Sequence, residues 1–177
     1  MQRLADWIQS ATKEGIVPVL AGANGDMDTI GSAISLASSH PTLMACGLHM
    51  GRLPNKLCAE LSAPFRKLKE NSPWPENLGG IIIVDAAAMG QTGMTLPEGI
   101  PICVIDHHST SNWDFKPGDL EIKSNARSTT QIIFQYLSEF SPTSLTDEVR
   151  KLLLAGLITD TGRFRHADAD ALKCGAD

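Results

Sequence analysis

The sequence predicts an α/β fold: a doubly wound, mostly parallel five-stranded sheet with helices on both faces. Three observations point to it. Five short apolar segments recur along the chain, and stretches with helical periodicity alternate with them. Two of the segments, IIIV at 81–84 and ICVI at 102–105, are nearly continuous runs rich in Ile and Val. Such runs belong to strands covered on both faces, the habit of parallel sheets. Alternation of strand and helix then selects the α/β class.

The elements follow in order. Residues 3–13 form an amphipathic helix, and 16–21 the first strand. Residues 29–38, rich in Ala, Ile and Leu, form the second helix, and 43–48 the second strand. Strands three to five cover 81–84, 102–105 and 120–123. A third helix, 129–139, places Ile132, Ile133, Tyr136 and Leu137 at helical spacing. The fourth, 147–157, is preceded by Ser and Thr residues suited to N-capping. The segments 71–80 and 90–99 are turn-rich loops, too short to link domains. All 177 residues are therefore expected to form one domain, 1–177. The tail from 167 reads as the start of a loop and helix, and its abrupt end anticipates either a truncated chain or a second domain.

Composition excludes several classes. A hydrophobic fraction of 42% with 20% charged residues is that of a soluble globular chain. No apolar run reaches the roughly 18 residues of a membrane span. The N-terminus lacks the apolar core of a signal peptide, so a cytoplasmic location and no membrane partner are expected. The four cysteines, Cys46, Cys58, Cys103 and Cys174, form no CxxC pair. They read as buried or incidental thiols rather than a zinc ribbon. A net charge of −5 argues against duplex nucleic acid. The one basic cluster, Arg66, Lys67 and Lys69 near Lys56, reads as a solvated helix face. A small anionic substrate remains compatible, because a bound metal would supply positive charge.

Ligands in open α/β sheets bind outside the carboxyl ends of the strands. Asp26 and Asp28 follow the first strand, Asp85 ends the third, and Asp106, His107 and His108 end the fourth. Asp160 follows the last helix. Each has a plain structural reading: a turn with a helix cap for Asp26 and Asp28, a strand-end cap for Asp85, a turn cap for Asp160, surface imidazoles for the histidines. Their convergence on one edge favours a site instead. Carboxylates with one or two imidazoles suit Mn²⁺ or Mg²⁺. Two such ions can share an activated water, and a nearby histidine can protonate a leaving oxygen.

Four motifs carry a family resemblance. Val104-Ile-Asp-His-His-Ser109 resembles the signature of the DHH phosphoesterase superfamily. Asn24-Gly-Asp-Met-Asp-Thr-Ile-Gly-Ser32 is similar to its first motif, Ile82-Ile-Val-Asp85 to its second, and Gly156-Leu-Ile-Thr-Asp-Thr-Gly-Arg-Phe-Arg165 to its fourth. The superfamily includes RecJ-like exonucleases, oligoribonucleases that also dephosphorylate 3′-phosphoadenosine 5′-phosphate (pAp), cyclic dinucleotide phosphodiesterases and family II pyrophosphatases. The resemblance implies one or two Mn²⁺ (or Mg²⁺) ions. Asp26 and Asp28 would each ligate one, Asp85 would bridge them, and His107 and Asp160 would complete the second. His108 would assist the leaving group and Asp106 would orient a histidine. Arg163, Arg165 and Ser32 would contact phosphate.

Two departures qualify this. The first-motif histidine of the family falls on Gly22, and the proline before the first aspartate on Gly25. The first ion should therefore lose an imidazole. The implied activity is hydrolysis of a phosphorylated nucleotide or short oligonucleotide of the pAp/nanoRNA type, and a homodimer is a further expectation. The alternatives are a RecJ-like single-strand exonuclease, or a degenerate metal- or nucleotide-binding module.

Overall fold

The computed structural model describes all residues, 1–177. Six parallel strands form one sheet in the order β3-β2-β1-β4-β5-β6. They are β1 (Val17–Ala21), β2 (Leu43–Gly47), β3 (Arg66–Lys67), β4 (Ile81–Val84), β5 (Ile102–Asp106) and β6 (Leu120–Lys123). The order is that of a doubly wound sheet, with the chain moving outward from β1 in one direction and from β4 in the other. β1 and β4 are paired, Val19 opposite Ile82 and Ala21 opposite Val84, so the point where the winding reverses lies between them.

Six α-helices accompany the sheet: α1 (Gln2–Glu14), α2 (Met27–Ala37), α3 (Arg52–Glu60), α4 (Thr129–Phe140), α5 (Asp147–Asp160) and α6 (Ala169–Ala176). The larger core joins Leu4 and Ile8 of α1, Met27 and Ile30 of α2, Ile132 and Leu137 of α4 and Leu152 of α5 to strand residues such as Val19, Ile82 and Ile105. The alternate strand residues, among them Leu20, Ile81, Ile83 and Val104, form a smaller core on the other face. Its cover is the connecting segments, through Trp74, Leu78, Met94 and Trp113. Their helical content is one short 3₁₀ turn, Met89–Thr92. Both faces of β1, β4 and β5 are thus buried, as their unbroken apolar sequences require.

The doubly wound parallel sheet matches the sequence expectation, with specific differences. The sheet has six strands rather than five. The added β3 is two exposed residues at the sheet edge, a length that carries no period-2 signal. Arg66 and Lys67, expected on a helix face, form that edge strand, where charge discourages further strand pairing. Helical cover is concentrated on one face, because the connections into β4, β5 and β6 are Pro- and Gly-rich and cannot sustain α-helix. No helix is long and apolar enough to cross a membrane. Cys46, Cys58 and Cys103 are buried and Cys174 is half-buried. Burial raises all four thiols, Cys46 to about 12 and Cys174 to about 11.

Gly156 explains how α5 reaches the sheet's carboxyl edge. A Cβ there would stand 2.5 Å from Thr130 Cγ2 and 3.2 Å from the Asp28 Cα. Only hydrogen at this position lets α5 lie against the start of both α2 and α4.

Candidate metal centre

The carboxyl ends of β1, β4 and β5 bring the acids together beside the reversal point. Asp26 is the N-cap of α2, accepting from Thr29 N at 3.0 Å and from Asn24 Nδ2 at 2.8 Å. Gly25 before it has φ +59°, a left-handed conformation that proline cannot adopt. Asp28 lies in the first turn of α2, 1% exposed. Its carboxylate accepts from Thr129 N (2.7 Å), Thr130 N (2.9 Å) and Thr130 Oγ1 (2.7 Å). These are donors that the first turn of α4 leaves without intrahelical partners. One carboxylate thus ties the starts of two helices together.

Asp85 follows β4 with φ +58°. Asp tolerates this region better than most residues, though at a cost of order 1 kcal/mol. Its Oδ1 accepts from Thr129 Oγ1 at 3.2 Å. Asp106, 2% exposed, ends β5 and holds His108 Nδ1 at 2.6 Å. The loop after it is fastened to the β4 end by Asn112 N donating to Ala87 O and Trp113 Nε1 donating to Ala86 O.

His107 occupies the centre. Its Nε2 lies 3.2 Å from Asp160 Oδ2, 3.5 Å from Asp85 Oδ1 and 3.9 Å from Asp28 Oδ2. An octahedral ion with bonds of about 2.1 Å sets adjacent ligand atoms ~3.0 Å apart and opposite ones ~4.2 Å apart. The spacings around His107 fall in that interval, and the donors are those that Mn²⁺ or Mg²⁺ prefers, so the residues fit a divalent ion. Asp28, His107 and Asp160 form one potential ligand group, and Asp85, His107 and His108 another.

Charge crowding leaves its mark. Burial, and then the charges of Asp85 and Asp160, push Asp28 up to about 8 against the pull of the Thr130 hydrogen bonds. Burial also raises Asp26 and Asp160. For His107, burial acts downward, but Asp85, Asp28 and Asp160 together outweigh it and raise the imidazole to about 9.

The first-motif side of the cluster is sparser. Gly22 N donates to Thr29 Oγ1 at 2.7 Å. A Cβ at 22 would stand 3.0 Å from Asp85 O and 3.3 Å from Asn24 Oδ1, so the position faces this region but offers no ligand. His49 is exposed after β2, its ring against Gly25. His40 is spent elsewhere, bonded to Thr42 ahead of β2.

An open groove of about 630 Å³ is lined by His107, His108, Asp160, Asn125, Arg127 and His166. Of the expected phosphate contacts, Arg163 and Arg165 are exposed on the turn after α5 and do not line it. Ser32 is fully buried within α2, its hydroxyl without a hydrogen-bond partner, and also lies off the groove. Asn125, Arg127 and His166 line it without having been singled out in sequence. Thr129 and Thr130 were likewise missed as partners of the acids. Asp160 proves to be the last residue of α5 rather than a loop residue. Beyond it, Gly162, Arg163 and Phe164 all have positive φ, and Thr161 Oγ1 accepts from Phe164 N at 3.0 Å. This left-handed turn brings the chain back so that His166 lines the groove.

A doubly wound sheet with an acid and imidazole cluster at its reversal point defines an α/β domain with a candidate divalent-metal centre. The chain belongs to the DHH family: residues 17–157 match that family's N-terminal domain. Among solved structures, it is similar to a Methanococcus jannaschii protein described as a family II inorganic pyrophosphatase, with TM-score 0.76 and 23% identity. That match covers 91% of this chain and 54% of the other. It is also similar to an exopolyphosphatase-related protein from Bacteroides fragilis, with TM-score 0.73 and 15% identity, covering 99% of this chain and 56% of the other. The chain thus spans about half the length of these two proteins, and at such identities the likeness is one of fold. No curated protein sequence matches the chain.

Proposed function

We propose that this chain is the metal-holding part of a phosphoesterase acting on a small phosphorylated substrate, of the class of a phosphorylated nucleotide or short oligonucleotide. Mn²⁺ or Mg²⁺ would be held by Asp28, Asp85, His107 and Asp160, with Asp26 serving a second ion. The observation that carries the proposal is the His107 geometry, one imidazole nitrogen facing three carboxylates at 3.2–3.9 Å. A bound divalent ion would supply an acidified water as nucleophile and neutralise charge on the phosphoryl oxygens.

The remaining roles belong to the chain itself. Asp106 is buried and its carboxylate accepts from His108 Nδ1 at 2.6 Å, which fixes the ring and leaves Nε2 facing outward. His108 Nε2 is then the atom from which a proton passes to the leaving oxygen. The side chain is 45% exposed at the head of the groove, so a substrate can reach it. The α4 amide groups and threonine hydroxyls hold Asp28 and Asp85 in place, so the acids need not reorganise during reaction. A net charge of −5 disfavours a long single strand as substrate.

A second reading, a binding module without turnover, is favoured by Gly22 alone. Metal analysis and a substrate panel separate the two. The panel comprises bis-p-nitrophenyl phosphate, pAp, short RNA, pyrophosphate and polyphosphate. The phosphoesterase reading expects Mn²⁺-dependent turnover that Asp85→Ala abolishes. Metal binding with no turnover on any substrate would establish the module instead, and absence of both would defeat both readings.

A further inference from the structure

The groove carries two sets of lining side chains. His107, His108 and Asp160 belong to the acid and imidazole cluster, Asp160 being the groove's only carboxylate. Asn125, Arg127 and His166 stand outside that cluster, and all are hydrogen-bonding side chains. Ala126 is the single apolar lining residue, so the groove is lined almost wholly by polar and charged side chains.

Arg127 is held in a defined way. Its Nε donates to Asp168 Oδ2 at 2.8 Å. Asp168 is itself fixed as the N-cap of α6, its Oδ1 accepting from Ala171 N at 2.9 Å. The guanidinium is thereby pinned along one edge. Its two terminal nitrogens donate to nothing in the protein, although the side chain is 50% exposed and lines the groove. A guanidinium fork with one edge anchored and the other open is suited to a planar pair of phosphate oxygens. Beyond the left-handed turn at 162–164, His166 N donates to Thr161 O at 3.0 Å, and its side chain lines the same groove.

We propose that Arg127, with Asn125 and His166, forms a subsite for a second phosphoryl group of the substrate, while the group to be cleaved lies at His107 and Asp160. Asp168 is a positioning residue that acts through Arg127. The subsite rests on the phosphoesterase reading above and deepens it: the preferred substrate carries two phosphoryl groups. The two groups share a bridging oxygen or are separated by a sugar, and both arrangements present the same chemistry to Arg127.

The test measures binding rather than turnover. Calorimetry on the full chain in saturating Mn²⁺ compares methylphosphonate, methylenediphosphonate and propane-1,3-diphosphonate. The second probe places its groups as an anhydride does, and the third about as far apart as a ribose does. The wild-type chain should bind one of the two diphosphonates about tenfold more tightly than methylphosphonate. Arg127→Gln should erase that preference and leave Mn²⁺ and methylphosphonate affinity unchanged. Asp168→Asn retains a helix-capping side chain, and should lose only part of the preference, about threefold. Equal affinity for all three probes, or a preference that survives Arg127→Gln in a folded variant, overturns the subsite and leaves the phosphoesterase reading standing. Failure of the wild-type chain to bind Mn²⁺ defeats the phosphoesterase reading, and the subsite with it.

Discussion

The two sides of the acid cluster are provisioned unequally. On one side Asp28, Asp85 and Asp160 surround His107, and the first two are held by donors of the α4 first turn. On the other side Asp26 is an exposed helix cap whose partners are Asn24 and the Thr29 amide, and the neighbouring position 22 has no side chain. The difference separates two jobs that one motif combines. Asp28 is as much a structural tie between α2 and α4 as a potential ligand. Asp26 is a local cap, and its removal disturbs only the start of its own helix.

The largest effect should come from breaking that contrast at its strong side. Asp28→Ala strips the acceptor from two buried amides and a buried hydroxyl. Unsatisfied buried donors cost about 1–3 kcal/mol each in isolation and are not additive, so a net loss of about 3 kcal/mol is expected. Asp26→Ala removes an exposed cap, worth about 1 kcal/mol. Urea unfolding of the two metal-free variants gives the comparison directly. Equal losses would mean that the tie between the helices carries no special weight. Mn²⁺ titration should show the same ranking, with binding abolished by Asp28→Ala and only weakened by Asp26→Ala.

The strong side was also the more legible one. Asp28, Asp85, His107 and Asp160 each end an apolar segment or lie within a turn of one, and strand polarity alone predicts that such ends meet. What escaped the sequence reading was the set of groups that act on those acids. Thr129 and Thr130 resemble ordinary N-terminal helix residues, and nothing local shows that their amides point at a carboxylate about a hundred positions earlier. Arg127, Asn125 and His166 were hidden for the same reason: the groove they line is assembled by the α4 start and the turn after α5, two segments brought together only by tertiary packing. Helix α3, at nine residues and carrying a proline, is too short for a clear periodic signal.

A second way to sharpen the contrast is through pH. Asp28, raised to about 8, binds a proton in the metal-free fold that the unfolded chain has released by pH 4 to 5. His107, raised to about 9, holds its proton up to that pH, whereas the unfolded imidazole loses it near 6.5. Both groups therefore bind more protons folded than unfolded near neutrality, so metal-free stability should fall as pH rises from 7 to 9. Divalent binding displaces those protons, so Mn²⁺ affinity should rise over the same interval, by up to about tenfold per pH unit for each proton released. Calorimetry in buffers of different ionisation enthalpy counts them. A pH-independent affinity would mean that the ion binds away from Asp28 and His107.

The smallest effect is expected on the weak side, from Gly22→His. An imidazole here would restore the donor that the family motif carries, and the Cβ contacts with Asp85 O and Asn24 Oδ1 place it on the correct side of β1. The same contacts oppose the change. A Cβ at 3.0 Å from a backbone oxygen needs a shift of a few tenths of an ångström, and the adjoining strand is buried on both faces. Stability should therefore drop by about 1 kcal/mol, the lower range for a tight insertion. Gly22→Ala isolates that steric cost from the gain of a ligand. Relative to Gly22→Ala, the histidine variant should bind a second Mn²⁺ equivalent with at least several-fold higher affinity, while the affinity of the first stays the same. If the two variants have identical stoichiometry, the weakness of this side lies in the left-handed path through Gly25 and the exposed cap at Asp26, and a missing imidazole is not its cause.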